Sequence, residues 1–457
     1  MAPSSSHRSL VAGIDLATAE ARVAVADARG RVVARGSAPL SAPHRPEPGT
    51  SEQDAGSWWP AVVQAMRGAL AGLEGRIVAV AVSATSGTVL LADRAGEPLG
   101  PALLYDDGRA PAVDRWDRLL GRPGARKAAR AWHASDLIVG RLIGAAPATD
   151  WSHALKTGYD PGSRRWGPAG DAAGLRPDVA APTSLAGEVC ARAAAETGLP
   201  AGCSVRLGMT DGCAAQVAAG ADRPGRFVSV LGTTLVVKGA ADDRLDDPPS
   251  GIYSHLHPEG WWLPGGASNT GGGSLATRFP QDELGDLDRA AAARGPAGTV
   301  CYPLAGSGER YPFVAPGAEE LWTAEPADRI DAYRAVLEGV AFVERLGYER
   351  LRELGAQSEG PLRSAGAGSR SDVWTAIRAT VLDRPIVRSE SADTAFGACI
   401  LAAAGTLHAS LGAATDAMVA TTGPEVAPVA EERDRLEVGY GRFVAAVCER
   451  GWLKWRS

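Results

Sequence analysis

Two stretches far apart in the chain follow one plan, and that pairing constrains the fold more than any other feature. "VAGIDLATAEARVAV" (11–25) reads as a strand, an Asp/Thr turn and a second strand. "RFVSVLGTTLVVKG" (226–239) reads as a strand, a Gly/Thr/Thr turn and a second strand. Val23 and Val25 alternate with the small Ala24 and Ala26, the period-two pattern of a strand, and Ala28-Arg29-Gly30 supplies a hairpin turn. Each stretch opens one half of the chain, so the pair reads as an internal duplication; a chance match between two common hairpins is the alternative. At 457 residues the chain is too long for one compact core, which independently calls for two domains.

Between the hairpins, "SWWPAVVQAMRGALAGL" has helical spacing, and "RIVAVAVSATSGTVLLADRAGEPLG" returns to strand, polar turn and strand. Strands alternating with helices give an α/β class. The seam lies near "AGADRPGRF" (219–227), a Pro/Gly turn before the second opening strand. Further on, "RIDAYRAVLEGVAFVERLGYERLRELG" is a long helix, with Ile330, Tyr333, Leu337, Val340 and Val343 on one face and Gly355 as the stop. The tail reads as a capping helix without chemistry.

Net charge of −6 argues against a nucleic-acid partner, and no segment is apolar over a membrane-spanning length. The six cysteines lack CxxC pairing or histidines at metal spacing, and read as reduced core thiols of a cytoplasmic protein. Only four lysines occur (Lys127, Lys156, Lys238, Lys454) and none follows a glycine, so there is no GxxxxGK[ST] phosphate loop.

The residues that can carry chemistry cluster at the turns. Backbone N–H groups and threonine hydroxyls of two such hairpins, facing each other across a cleft, would clamp phosphate. Asp15 closes the first strand, where it suits Mg²⁺ directly or through water, or else merely closes a turn with Thr18. In "GMTDG", Asp211 stands among glycine and alanine, open to a ligand as a general base and also placed to cap the helix that follows. "WWLPGGASNTGGGSL" (261–275) is a glycine-rich bend after a strand. "LRSAGAGSRSDVWTAIRA" (362–379) is a strand end, a turn at Gly368 and a helix start, a natural anion site. Trp374, one turn in, flanks a nucleotide or fills the core.

In this order the pieces resemble the FGGY family of carbohydrate kinases over nearly all of residues 10–405. "GIDLATAEAR" is similar to its first phosphate motif, "YDDGR" to its sugar-side motif, and "GMTDG" to the segment bearing its catalytic aspartate. "LGTT" is similar to its second phosphate motif and "SAGAGSRSDVW" to its adenosine motif. Within the family, "SATSGTVLLADR", "SHALKTGYD", "GIYSH" and "GERYPF" resemble the D-ribulose kinase branch.

The resemblance implies an actin-like ATPase fold: two ribonuclease-H-like domains flanking a central cleft, here 8–222 and 223–408, with a helical tail at 409–457. It implies a carbohydrate kinase using ATP and Mg²⁺ on a small-molecule sugar, D-ribulose being the expected substrate, in a monomer or homodimer. Asp211 would be the catalytic base. Asp15, Ser86, Asp107 and Arg109, with Asp211, would serve the sugar, and Asp15 and Asp211 the metal. Thr18, Gly232, Thr233 and Thr234 would hold the β- and γ-phosphates. Gly272, Gly273, Gly368, Ser371 and Trp374 would surround the rest of the nucleotide. The alternatives are a kinase for D-xylulose, another pentulose or a polyol, and a catalytically weak sugar- or nucleotide-binding regulator. The regulator is motivated by departures from the family pattern: Ala17 and Ala367 stand where glycine is usual, and the stretch from Arg109 to Ser135 is short. At a backbone position that needs positive φ, such a methyl costs about 1 kcal/mol.

Overall fold

A computed structural model describes residues 9–454 except 74, 75, 169 and 171; residue 8 and the last three residues of the expected tail lie outside the described set. The chain forms two compact units. One comprises Met1–Ala218, Pro258–Gly260 and Asp393–Val419; the other comprises Ala219–His257, Trp261–Ala392 and Ala420–Ser457. Residues 393–419, which the sequence division gives to the second half and the tail, therefore pack with the first unit.

In the first unit, β1 (Leu10–Leu16), β2 (Glu20–Asp27), β3 (Val32–Pro39), β4 (Ile77–Ala84), β5 (Leu185–Glu188) and β6 (Ser204–Arg206) form one sheet. Its order is β5-β6-β4-β1-β2-β3. The first three strands are antiparallel, whereas β4 runs parallel to both β1 and β6. In the second unit, β7 (Phe227–Leu231), β8 (Leu235–Gly239), β9 (Tyr253–Leu256), β10 (Trp262–Ala267), β11 (Leu362–Ala365), β12 (Ile386–Ser389) and β13 (Thr421–Val426) form another. Its order is β9-β10-β8-β7-β11-β12-β13. The run β3-β2-β1-β4-β6 and the run β10-β8-β7-β11-β12 are the same meander and parallel pair twice over, with the same strand directions. The duplication extends from the opening hairpins to both sheets.

Strand β1 is buried along its whole length, so both of its faces need a cover. Ile14 joins Val23, Trp58 and Val62 in a cluster under the helix Trp58–Leu70. On the other face lies the helix Thr394–Ala403. A Cβ on Gly13 would stand 2.0 Å from the carbonyl oxygen of Ala395, and one on Gly397 2.1 Å from that of Ala214. Backbone thus meets backbone at both glycines: Gly13 lets the helix lie directly on the sheet, and Gly397 lets it lie directly on the helix Asp211–Ala218.

The long helix runs Arg329–Glu353, and Gly355 follows at φ +104°. It is buried nearly all round rather than on one face, because its charges are paired. Arg334 bonds Glu338 at 2.6 Å. Glu344 takes a bidentate pair from Arg378 at 2.6 and 2.8 Å, and Arg378 also donates to Ser364 Oγ at 2.7 Å. The tail helix Arg433–Glu449 contributes Leu436, Tyr440, Phe443 and Val447 to the same core. All six cysteines are free thiols, and among the described residues no helix is long and apolar enough to cross a membrane.

Candidate active site

The carboxyl ends of parallel strands are where α/β sheets present ligand-binding side chains. In the first unit that edge carries Asp15, Ser86 and Asp211. Asp15 pairs in register with Arg22 on β2 and with Ser83 on β4. Its side chain is 1% exposed, and its Oδ2 accepts from Arg22 Nε at 2.9 Å. Burial pushes the Asp15 carboxyl up to about 6, because Arg22 offsets only part of the desolvation and Asp211 and Asp393 add negative charge. Its other oxygen, Oδ1, is buried and accepts no hydrogen bond among the described residues. Sequence reasoning missed Arg22, although the hairpin register alone sets it opposite Asp15. It also missed Asp393, which pairs with Arg35 and caps the helix Thr394–Ala403.

Asp211 is the first residue of the helix Asp211–Ala218, not its cap: the Thr210 carbonyl takes the first two helical bonds. Asp211 Oδ1 accepts the N–H of Gly212 at 2.7 Å. Two devices fix the segment before it. Gly208 has φ +90°, and a Cβ there would lie 1.7 Å from Val82 O. Thr210 bridges to Ala84 and donates its N–H to Ser152 Oγ at 3.0 Å. Ser152 in turn bonds Asp150, which caps its own short helix and pairs with buried His153. Burial opposes the His153 charge, but the Asp150 carboxylate outweighs it and holds the imidazole pKa above its usual range. These three residues sit within "SHALKTGYD" and just before it. Their spacing carries no sign of Thr210 and Asp211, the first of which lies 58 residues on from Ser152.

Ser86 lies in the turn after β4, its Oγ buried without a hydrogen-bond partner. Arg115 staples that turn to the 105–107 loop, donating to the carbonyls of Gly87 at 2.6 Å, Tyr105 at 2.9 Å and Asp107 at 3.0 Å. Asp107 and Arg109 are occupied with each other. The Asp107 carboxylate takes Ser51 N–H at 2.8 Å and Arg109 Nη2 at 2.6 Å, and Arg109 also pairs with Glu52. Burial works against the charge, yet Arg109 and the Ser51 N–H hold Asp107 below its usual range. This pair orders the loop and presents no free carboxylate. Thr18 is half-buried, and its carbonyl accepts from Gln53 at 2.9 Å.

In the second unit two turns are zipped backbone to backbone. Gly272 N–H donates to Gly232 O at 2.8 Å and Gly273 N–H to Thr233 O at 2.9 Å, while Thr233 itself is exposed. A Cβ on Gly272 would stand 2.7 Å from Gly232 O, so the contact requires glycine. Gly368 sits against Leu231 in the turn before the helix Asp372–Leu382. Ser371 caps that helix and donates to Asp288 at 2.8 Å. Trp374 is the correction here: its indole is 3% exposed and donates to Leu337 O at 3.0 Å, so it is a core side chain and not a stacking face. Ala17 and Ala367 raise no conformational objection, since among the described residues only Arg164 and Asp383 have positive φ outside glycine.

Residues 10–131 match the N-terminal domain, and residues 227–406 the C-terminal domain, of the FGGY family of carbohydrate kinases. The chain belongs to that family. It is 28% identical to a xylulose kinase of Streptomyces rubiginosus, over 96% of this chain and 93% of that one. It is 26% identical to the L-xylulose/3-keto-L-gulonate kinase of Escherichia coli K12, over 86% and 88%. The crystal structure of a xylulose kinase from Rhodospirillum rubrum superposes with a TM-score of 0.86 at 25% identity, covering 96% and 98%. The architecture is therefore the actin-like ATPase fold of FGGY kinases, and the protein is a carbohydrate kinase.

Proposed function

We propose that this FGGY kinase transfers the γ-phosphoryl group of ATP to a terminal hydroxyl of a ketopentose. The observation that carries the reading is the carboxylate pair of the first unit: Asp15 with its unpartnered buried oxygen, and Asp211 at a helix start, close enough for its charge to raise the Asp15 carboxyl. The residues fit Mg²⁺. Asp15 and Asp211 offer two hard oxygen donors, and no larger set of metal-binding side chains occurs among the described residues. That is the ligand set of a cation that keeps waters and phosphate oxygens. Mg²⁺, when bound, neutralises phosphate charge.

Asp211 takes the proton as the sugar oxygen bonds to the γ-phosphorus and the bond from phosphorus to the β–γ bridging oxygen breaks, releasing ADP. Arg22, half-exposed beside Asp15, is a second source of positive charge for the developing oxyanions. Ser86 Oγ has hydrogen-bonding capacity left for a sugar hydroxyl. Thr18 and the turn 232–234 would bind the β- and γ-phosphates, and Gly272, Gly273, Gly368 and Ser371 would border the rest of the nucleotide. The first unit would serve the sugar and the second the nucleotide, with the helix Arg433–Glu449 as a cap on the second.

For the sugar, the motif resemblances support D-ribulose, and the names borne by the relatives support xylulose. The test is ADP release from Mg-ATP with D-ribulose, D-xylulose, L-ribulose, ribitol and glycerol, using wild type and Asp211→Asn. Turnover with one pentulose, reduced on the order of a thousandfold in the variant, is expected. Nucleotide or sugar binding with no turnover would replace the kinase reading by the regulator.

A further inference from the structure

The "GERYPF" stretch finds no use in the chemistry above, yet it holds an unusual group. Glu309 is 3% exposed, and its carboxylate has no ion-pair partner among the described residues. Four neutral donors surround it instead. Oε2 accepts from Ser268 Oγ and Tyr302 OH, both at 2.8 Å, and Oε1 accepts from the N–H groups of Asn269 at 2.7 Å and Arg310 at 2.9 Å. Removing a carboxylate from water without a counter-ion costs several kcal/mol, so donors fixed in place must hold it.

Those donors lead to the phosphate turn. Ser268 Oγ also accepts the Thr270 N–H at 2.9 Å, and Asn269 Nδ2 returns to Gly308 O at 2.8 Å. From this clamped turn, Ser268 N–H donates to Leu235 O at 2.9 Å, and Thr270 O accepts Leu235 N–H at 2.7 Å. Two residues on, the bonds from Gly272 to Gly232 and from Gly273 to Thr233 close the ladder. Every backbone bond that ties the 268–273 turn to the turn 232–234 thus lies within a few residues of Glu309's donors. The opposite side is anchored as well, since Glu309 pairs backbone to backbone with Ala315 and Gly308 donates to Ala318 O.

We propose that Glu309 is a positioning residue for ATP: it clamps Ser268 and Asn269, and through them sets the 232–234 turn in the geometry that receives the β- and γ-phosphates. The inference rests on the reading of that turn as phosphate-binding. It touches no reacting atom and leaves the sugar side, in the other unit, untouched.

The test measures KM for ATP and KM for the sugar in Glu309→Ala, Glu309→Gln and Ser268→Ala, with titration of a fluorescent ATP analogue and a melting curve for each. Glu309→Ala strands two N–H donors and two hydroxyls and is expected to raise KM for ATP at least about tenfold, with KM for the sugar within about twofold. Glu309→Gln keeps one carbonyl oxygen for both N–H groups and can donate to the two hydroxyls. It is therefore expected to restore ATP affinity to within about threefold of wild type. Should Glu309→Ala not fold, Ser268→Ala carries the test alone, with a rise in KM for ATP and none for the sugar. Equal rises in both KM values, or an unchanged KM for ATP in a folded variant, overturn the inference. Wild type that binds no nucleotide analogue overturns instead the reading of the turn on which the inference stands.

Discussion

Asp15→Asn should invert the order of stability of wild type and variant between acid and neutral pH. In the unfolded chain the carboxyl titrates near 3.8; in the fold, burial raises it to about 6. Below 3.8 both states are protonated, and the buried side chain carries no charge penalty. As pH rises the unfolded state ionises first, so stability is lost through this window and levels off above 6. A rise from 3.8 to about 6 corresponds to about 3 kcal/mol at full development, and to about 1 kcal/mol at pH 4.5. The asparagine escapes this loss at a constant cost. The Arg22 pair is already counted in the value of about 6, so the cost that remains is the new amide, which buries N–H groups where Oδ1 has no partner, for about 1 kcal/mol. Net, Asp15→Asn matches wild type near pH 4.5, falls below it in more acid solution, and is more stable by about 2 kcal/mol at pH 8, or a few degrees in Tm. The assay is chemical or thermal unfolding of both proteins in EDTA across pH 4.5–8, where the other titrating groups cancel in the difference. A stability difference that stays constant across that range refutes the reasoning. Adding Mg²⁺ should then raise the melting point of wild type and leave that of the variant unchanged, and turnover should vanish in the variant.

Two further outcomes follow from side chains placed in the second unit's core. Trp374→Phe should lower stability by about 1–3 kcal/mol through a lost buried hydrogen bond and a partial cavity, while the Kd for a fluorescent ATP analogue stays within about twofold; a tenfold weaker Kd in the folded variant would restore a stacking role. Arg378→Met leaves Glu344 charged and unpaired on the buried long helix, and should cost about 3–5 kcal/mol in unfolding experiments. In that background Glu344→Gln should recover much of the loss; no recovery would mean that the pair's charge is not what holds it.

The two hairpins, the α/β alternation, the Gly30 turn and the long helix ending before Gly355 were all legible, because each depends on a few adjacent residues. Period-two runs of valine and alanine make strands, and positive φ picks glycine, whatever the rest of the chain does. Asp15 and Asp211 stand out as candidates in the sequence for a related reason: each is a charged side chain close to glycine and alanine near a strand end.

What the chain could not state locally was everything set by register and by packing across sequence distance. Arg22 meets Asp15 only because β1 and β2 pair in one particular register. Ser152 and Asp150 reach the segment before Asp211, and Glu309 reaches Ser268, across stretches of about forty to sixty residues that no spacing rule connects. Trp374 reads equally as a nucleotide face or a core side chain until the carbonyl of Leu337 takes its N–H. The placement of Asp393–Val419 with the first unit is of the same kind. Its helix is apolar on all sides, and the close backbone approach at Gly13 of β1 seats it on the first unit's sheet. Local backbone preference and side-chain chemistry reside in the sequence one short window at a time; register, burial and the sharing of hydrogen bonds are properties of pairs, and pairs exist only once the chain has folded.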